Sequence, residues 1–168
     1  MKVVKNPIAI ILGFSVVLLN SCVSTKKEEV PIRIEVTEFG IYTCQKVATI
    51  PTAEASAGIM TTARDFKLIE ATDRIAIAKG TLFGITVSYE SAEYKSIEIT
   101  LKILHPEMDD PYLKKAVTVS TLKWPIRSGV PAHFGYMPKE AFEMVRGNWT
   151  FEIWYRNELS CSKTFTLF

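Results

Sequence analysis

Apolar and polar residues alternate with a period of two along much of this chain, and that pattern restricts the fold more than any other feature. Apolar side chains occupy every second position in three segments, 83–89, 97–103 and 149–155. Each segment predicts a β-strand with one face on a core and one face towards solvent. A further strand begins at 32–36, and its alternation changes phase around Gly40, which predicts a β-bulge at that glycine.

Weaker strand patterns and one helical pattern complete the chain. The weaker strands fall at 66–70, 74–78, 115–123 and 163–168, with polar or Pro/Gly-containing connections. A proline at the start and a glycine at the end predict one short helix near 138–146. We therefore expect an all-β fold, an immunoglobulin-like two-sheet β-sandwich of about seven to nine strands, with a small barrel as the alternative.

The first 22 residues have the parts of an export signal. Two lysines precede an apolar run at 8–19, which is about a dozen residues and shorter than the roughly 20 that a membrane-spanning helix needs. A buried helix and a permanent transmembrane anchor are the alternatives. Leu19, Ser21 and Cys22 resemble the lipobox of bacterial lipoproteins, in which the cysteine thiol receives diacylglycerol.

This resemblance implies three parts: a lipoprotein signal peptide at 1–21, a lipidated tether at 22–31 and a β-sandwich domain at 32–168. It implies membrane lipid as a partner, through acylated Cys22, and a location in the bacterial cell envelope. The residue after Cys22 is not aspartate, which resembles lipoproteins of the outer membrane that face the periplasm. Lys27-Glu28-Glu29 resembles a short surface-exposure signal, so the cell surface is the alternative location.

Removal of the signal also removes the excess of positive charge. The chain has 20 Lys and Arg against 18 Asp and Glu, and the signal contains Lys2 and Lys5 but no acidic residue. The remaining 20 − 2 = 18 basic residues therefore balance 18 acidic ones. A nucleic-acid partner is not expected, because it would need a concentrated basic face.

Two cysteines remain once Cys22 carries lipid. Cys44 and Cys161 would lie in a compartment where disulfides persist, in the first and last strands of the domain. Terminal strands of a sandwich are often neighbours, so we expect a Cys44–Cys161 disulfide. The alternative is two buried free thiols that pack as small apolar residues.

The two histidines of the chain are the first candidates for catalytic or metal-binding residues. His105, Asp109 and Asp110 lie in a proline-framed stretch that we interpret as a solvated acidic turn, and they are weak metal candidates because calcium-loop spacing is missing. We expect His133 to be a loop residue packed near an aromatic ring. No serine elbow or phosphate-binding glycine loop is present in the sequence, so we predict no catalytic residue and no cofactor.

Aromatic residues are the remaining candidates for a binding surface. By phase, Trp149 belongs to the core, whereas Trp154 lies on the opposite face of the same strand. Trp124 ends a strand beside a loop and is placed to line an edge groove. We predict a binding surface that uses Trp154, Trp124 and His133. The alternative for Trp154 is cover by the helix, the tether or a lysine stem, and the alternative for Trp124 is ordinary packing at the end of its strand.

Several aromatic and glycine motifs resemble known domains. The segment 147–159, closing with 165–167, resembles the last hairpin of many bacterial immunoglobulin-like domains. The pieces 39–42, 80–85 and 134–136 resemble a domain-of-unknown-function family of bacterial exported proteins, DUF3859. The resemblance covers nearly the whole domain after the tether. It implies the fold and brings no catalytic residues with it.

These observations favour a lipid-anchored cell-envelope protein that acts as a non-catalytic binding or adaptor module. Its expected partner is an envelope protein or a glycan. One alternative is a structural or assembly protein that pairs through an exposed edge strand. A less favoured alternative is a metal-dependent enzyme that uses the stretch from His105 to Asp110.

Overall fold

The structure is a computed structural model and describes residues 32–51 and 59–168. The predicted signal peptide at 1–21 and the tether at 22–31, with Cys22, lie outside the described residues. Within the described ranges the chain forms nine strands and one 3-10 turn. The strands are β1 (Ile34–Pro51), β2 (Ile59–Glu70), β3 (Arg74–Ile75), β4 (Leu82–Tyr89), β5 (Ser96–Asp110), β6 (Lys115–Arg127), β7 (Ala132–Tyr136), β8 (Gly147–Tyr155) and β9 (Glu158–Leu167).

The strands form two sheets. Sheet A has the order β2-β1-β4-β7, and sheet B has the order β3-β9-β8-β5-β6. All neighbours are antiparallel except β3 and β9, which are parallel. This arrangement confirms the predicted all-β two-sheet sandwich. All the segments predicted as strands contain one, although β3 keeps only two residues of the predicted 74–78.

The core lies between the sheets, where the apolar positions of the alternating segments face one another. Trp149 and Phe151 of β8 are fully buried, as the phase of the sequence predicts. Phe83 of β4 packs edge-on against Trp149, Phe151 and Phe165, at centroid distances of 5.4 to 5.8 Å. Edge-to-face pairs of this kind contribute about 0.5–1.5 kcal/mol each beyond the burial of their area.

In the pairing of β1 with β4, the β-bulge lies three residues before the predicted position. The pairing of β1 with β4 shifts between Val36 and Glu38, so Thr37 is the extra residue. Gly40 has a different role, with φ of 144° and a Cα so close to β2 that a Cβ would collide with the Glu70 carbonyl oxygen. The phase change is therefore real, but the glycine marks a close approach of two backbones.

The predicted helix near 138–146 is reduced to a 3-10 turn at Ala141–Glu143. The Glu143 carboxylate accepts hydrogen bonds from the backbone N–H groups of Lys139 and Glu140, at 2.7 and 2.8 Å, and so closes the turn on itself. The chain must then enter β8 at Gly147. The backbone of Met144, with φ of −84° and ψ of 51°, is not helical and ends the turn there. No helix in residues 32–51 and 59–168 is long and apolar enough to cross a membrane.

Both predicted histidine loops are strands. His105 lies in β5, inside a long bulge where the step from Leu104 to Met108 faces the shorter step from Val119 to Val117 on β6. His133 is the second residue of β7 and is paired with Thr86 of β4. Proline framing led to the loop prediction, but the bulge of β5 accommodates Pro106 within the sheet, and Pro131 directly precedes β7.

The predicted disulfide is not formed, and Cys44 and Cys161 are free thiols. Burial, together with the negative charge of Glu35, raises the pKa of the Cys161 thiol to about 11. Glu35 is therefore near Cys161, whereas Cys44 lies nine residues further along β1 (44 − 35). At about 3.3 Å per residue this is roughly 30 Å of strand, while a disulfide needs Cα atoms within about 7 Å. The correct alternative is two half-buried free thiols.

Candidate binding cleft

A cleft of about 1220 Å³ opens along one side of the sandwich, and we call it the edge cleft. Its walls come from β2, β6 and β7, and Leu101 and Ile103 of β5 also line it. Most of the lining residues are apolar or aromatic. Such a concave, largely apolar surface with a few polar groups is the usual form of a binding site.

The edge cleft follows the edges of strands. Every residue from Met60 to Phe66 of β2 lines it, and so does every residue from Val130 to Met137 around β7. Successive side chains of a strand point to opposite faces, so a cavity that touches every residue of a run lies along the strand edge. β2, β6 and β7 each end their sheet among the described strands.

The β1–β2 arm, residues 43–51 and 59–67, overhangs this side of the sandwich. It exists because β1 is long: its first half pairs with β4, and its second half pairs only with β2. The arm reaches β7 through Phe66, whose ring stacks on His133 with a centroid distance of 4.8 Å and an interplanar angle of 14°. Lys139 Nζ also donates a hydrogen bond to Thr61 Oγ1 of the arm, at 3.0 Å.

A buried polar network holds His133 in the wall. His133 Nδ1 shares a 2.8 Å hydrogen bond with Thr86 Oγ1, which also bonds to the Tyr42 hydroxyl at 3.1 Å. Burial lowers the pKa of His133 below its ordinary 6.5, and the charge of Glu38 partly opposes this change. The imidazole is therefore neutral at pH 7. Its Nε2 has no protein partner among the described residues.

The opposite wall is the inner face of β6. Trp124 pairs with Ile99 and Leu122 pairs with Leu101, and both partners are buried core residues of β5. The pairing places the Trp124 and Leu122 side chains on the core side of the sheet, at its open edge. At one end of the edge cleft, the Tyr136 hydroxyl donates a 2.6 Å hydrogen bond to Glu143 Oε1.

Charges around the edge cleft balance. Three basic and three acidic side chains line it: Arg64, Arg127 and Lys139 against Asp65, Glu140 and Glu143. Glu143 is buried, and both of its carboxylate oxygens already accept hydrogen bonds at the 3-10 turn. A surface of this kind suits a partner without a large net charge.

The structure brings together two of the three residues predicted to form a binding surface. Trp124 and His133 both line the edge cleft, together with Cys44, whereas Trp154 lies on the outer face of sheet B. There Lys102 Nζ lies 4.1 Å from the centroid of the Trp154 ring. The indole N–H of Trp154 donates a 2.8 Å hydrogen bond to Glu152.

The three weak metal candidates point in different directions. His105 is 6% exposed, packs on Trp149 at 4.9 Å and donates from Nδ1 to the Pro106 carbonyl oxygen at 2.8 Å. Asp110 accepts the backbone N–H groups of the turn that follows β5, while Asp109 is exposed. Within residues 32–51 and 59–168, no group of three or more potential ligands comes together.

Four residues of the site were missed in the sequence: Tyr42, Phe66, Thr86 and Gly135. Gly135 carried a signal, since a glycine inside a strand often marks a close approach of backbones. It pairs with Gly84, and a Cβ on Gly84 would collide with the Phe134 carbonyl oxygen. Phe66 meets His133 only because the arm reaches β7, a contact that no local sequence pattern predicts. Tyr42 and Thr86 lie on the neighbouring strands β1 and β4, and Thr86 pairs with His133 across β4 and β7.

Comparisons with known proteins bear on the fold and the family. A crystal structure of an immunoglobulin-like protein from Pseudomonas aeruginosa is similar, with a TM-score of 0.61 and 18% sequence identity. The alignment covers 84% of this chain and 99% of that chain, and it confirms the predicted immunoglobulin-like sandwich. No curated protein matches the sequence. A family model described as a domain of unknown function matches residues 29–167, so the chain belongs to the DUF3859 family, as its motifs indicated.

Proposed function

We propose that this protein is a lipid-anchored, non-catalytic binding module of the bacterial cell envelope and that the edge cleft is its binding site. The observation that carries the proposal is the cleft itself, with Trp124 and His133 in facing walls. Tryptophan and apolar surface at the edge of a cleft supply binding energy, and a neutral imidazole supplies a directional hydrogen bond.

The chemistry of the wall supports recognition of a partner more than turnover of a substrate. Thr86, the hydroxyl partner of His133, is 2% exposed and is held by Tyr42 as well. A nucleophile must reach its substrate, whereas a buried hydroxyl serves to fix the orientation of the imidazole.

The anchor rests on Cys22 and the lipobox residues before it, and the family match begins only after them, at residue 29. The proposed location is the outer membrane, with the domain facing the periplasm. For the Cys22→Ala variant we expect release from the membrane fraction, measured by fractionation and immunoblotting. A variant that sediments with membranes as the parent does would contradict lipid anchoring.

The binding site is tested by photocrosslinking in cells with a matched pair of tryptophans. A benzophenone amino acid replaces Trp124 in the edge cleft or Trp154 on the outer face of sheet B, and both sites are half-buried strand positions of one sheet. We expect a discrete adduct from position 124 and none of that mass from position 154. An adduct only from position 154 would move the binding site to the outer face.

A further inference from the structure

β7 is an edge strand whose second side has no partner strand among the described residues. It pairs with β4 alone, in the register Ile85 with Phe134 and Gly84 with Gly135. An unpaired strand edge presents a row of backbone N–H and C=O groups that another extended chain can bind. Because the edge cleft runs along this edge, the row lies inside the candidate site.

The register shows which backbone groups are available. A Cβ on Gly84 would collide with the Phe134 carbonyl oxygen, so that carbonyl points towards β4. In a strand the N–H and C=O of one residue point to the same side, and the side alternates along the chain. The N–H and C=O of His133 and Gly135 therefore point away from β4, into the edge cleft. No backbone hydrogen bond outside the sheets involves either residue within the described ranges.

The two walls beside this edge offer sites for alternate side chains of an added strand. On one side lie the apolar inner residues of β6, Leu122 and Trp124, above Leu101 of the core. On the other side lies the arm, with Phe66 stacked on His133. Side chains of an added strand would point alternately towards these two walls.

Size and charge identify the class of partner. At about 1220 Å³ the edge cleft exceeds the roughly 300–1,000 Å³ that is usual for small-molecule pockets. Its three basic and three acidic side chains balance, which does not suit a polyanion such as nucleic acid or a phosphorylated glycan. An extended polypeptide with uncharged residues at its centre matches both the neutral walls and the free backbone groups.

We infer that the edge cleft binds an extended segment of another protein, which adds as a fifth strand to sheet A by pairing with His133 and Gly135 of β7. This inference rests on the proposed function, because it names the occupant of the same site. β7 has five residues, so the paired part of the segment is about as long.

The test first selects phage-displayed random peptides of about twelve residues that bind the full chain in detergent. It then retains the peptides that no longer bind the Trp124→Ala variant but still bind the Trp154→Ala variant. A synthetic peptide is then N-methylated at alternate residues, in two sets of opposite parity. N-methylation removes an N–H donor and leaves the side chain. We expect one set to weaken binding at least about tenfold and the other to leave it nearly unchanged, because only alternate amides face β7.

Hydrogen exchange of the protein provides the second readout. On peptide binding, the amides of His133 and Gly135 should gain protection, while the amide of Phe134, already paired with β4, serves as the internal control. Equal tolerance of both N-methylated sets, unchanged exchange at His133 and Gly135, or no peptide that depends on Trp124 would overturn strand addition. Crosslinking from position 124 to a partner would still support the binding module, so the two proposals fail separately.

Discussion

The two histidines of this domain occupy strands, lie against aromatic rings and use Nδ1 in a hydrogen bond, yet their surroundings are opposite. His105 packs on Trp149, and its Nε2 is buried without any hydrogen-bond partner in the described part of the chain. His133 stacks on Phe66 at the edge cleft, where its Nε2 is available to a partner. The difference separates a sealed interior, which determines stability, from an open edge, where we propose that a partner binds.

The interior around Trp149 is held together by a hydrogen bond as well as by apolar packing. The indole N–H of Trp149 donates to the Val145 carbonyl oxygen at 3.2 Å, and its ring contacts Phe83, Tyr136 and His105. At the open edge, Trp124 is half-buried against the core and has one side in the cleft. Changes at Trp149 should therefore act on folding, and changes at Trp124 should act mainly on binding.

The largest effect should come from Trp149→Ala. Truncation of a fully buried tryptophan leaves a cavity and typically costs about 3–5 kcal/mol. Trp124→Ala should cost about 1–2 kcal/mol, because part of the ring is already in contact with solvent. Urea unfolding followed by circular dichroism measures both. Equal losses for the two variants would show that the cleft wall is part of the core.

Gly84→Ala should be the next most damaging change. The added Cβ would collide with the Phe134 carbonyl oxygen and force β4 and β7 apart, at a cost of about 2–3 kcal/mol. Gly80→Ala is the control, because a Cβ there meets no atom within 4 Å and only the positive φ of 85° opposes it. Thermal unfolding compares the two. A smaller loss at Gly84 than at Gly80 would contradict the close pairing of β4 with β7.

We expect acidic pH to lower the free energy of unfolding through His105, the buried histidine. Burial lowers the pKa of His105 in the folded state, and the hydrogen bond to Pro106 only partly opposes this. The unfolded chain, with an ordinary pKa near 6.5, binds a proton first, so stability is complete above about pH 6.5 and falls as the pH decreases through and below it.

The variant His105→Phe tests this effect. We expect the free energy of unfolding of the parent to decline from pH 8 to pH 5 and the decline to be smaller in His105→Phe. The measurement is a urea titration at each pH, with pH 8 as the reference for each protein. Identical declines would show that His105 does not carry the pH dependence.

The smallest effect should come from the outer face of sheet B. Lys102→Ala removes the cation over the Trp154 ring, a contact worth about 1 kcal/mol between two half-buried side chains. Urea unfolding should give a change of about this size, and crosslinking from position 124 should be unaffected. A loss of crosslinking would connect the outer face with the edge cleft.

The sequence could predict the strands and the core, because alternation is a local pattern that records which face is buried. Trp149 and Trp154 illustrate this, since both were assigned to the correct face by phase alone. Contacts between segments distant in sequence could not be predicted. The stack of Phe66 on His133 depends on the overhang of the arm. The separation of Cys44 from Cys161 depends on which part of β1 lies near β9, the strand that carries Cys161.

The misplaced elements have a common physical cause. Pro106 and Gly135 were interpreted as parts of loops, whereas Pro106 lies inside a bulged strand and Gly135 lies within β7 at a close backbone contact. Gly40 was interpreted as a β-bulge, whereas it marks a close approach of β1 to β2. The edge cleft was only partly predictable for the same reason. Trp124 and His133 were identified by residue type, but the free edge of β7 depends on the order of the strands.

Binding affinity is the sharpest test of whether a partner occupies the edge cleft. The molecule crosslinked from position 124 is purified and titrated against the parent, Trp124→Ala and Trp154→Ala in detergent. We expect at least about tenfold weaker binding for Trp124→Ala, close to 1.4 kcal/mol, and parental affinity for Trp154→Ala. Parental affinity for Trp124→Ala combined with weakened binding by Trp154→Ala would show that the partner does not bind in the edge cleft.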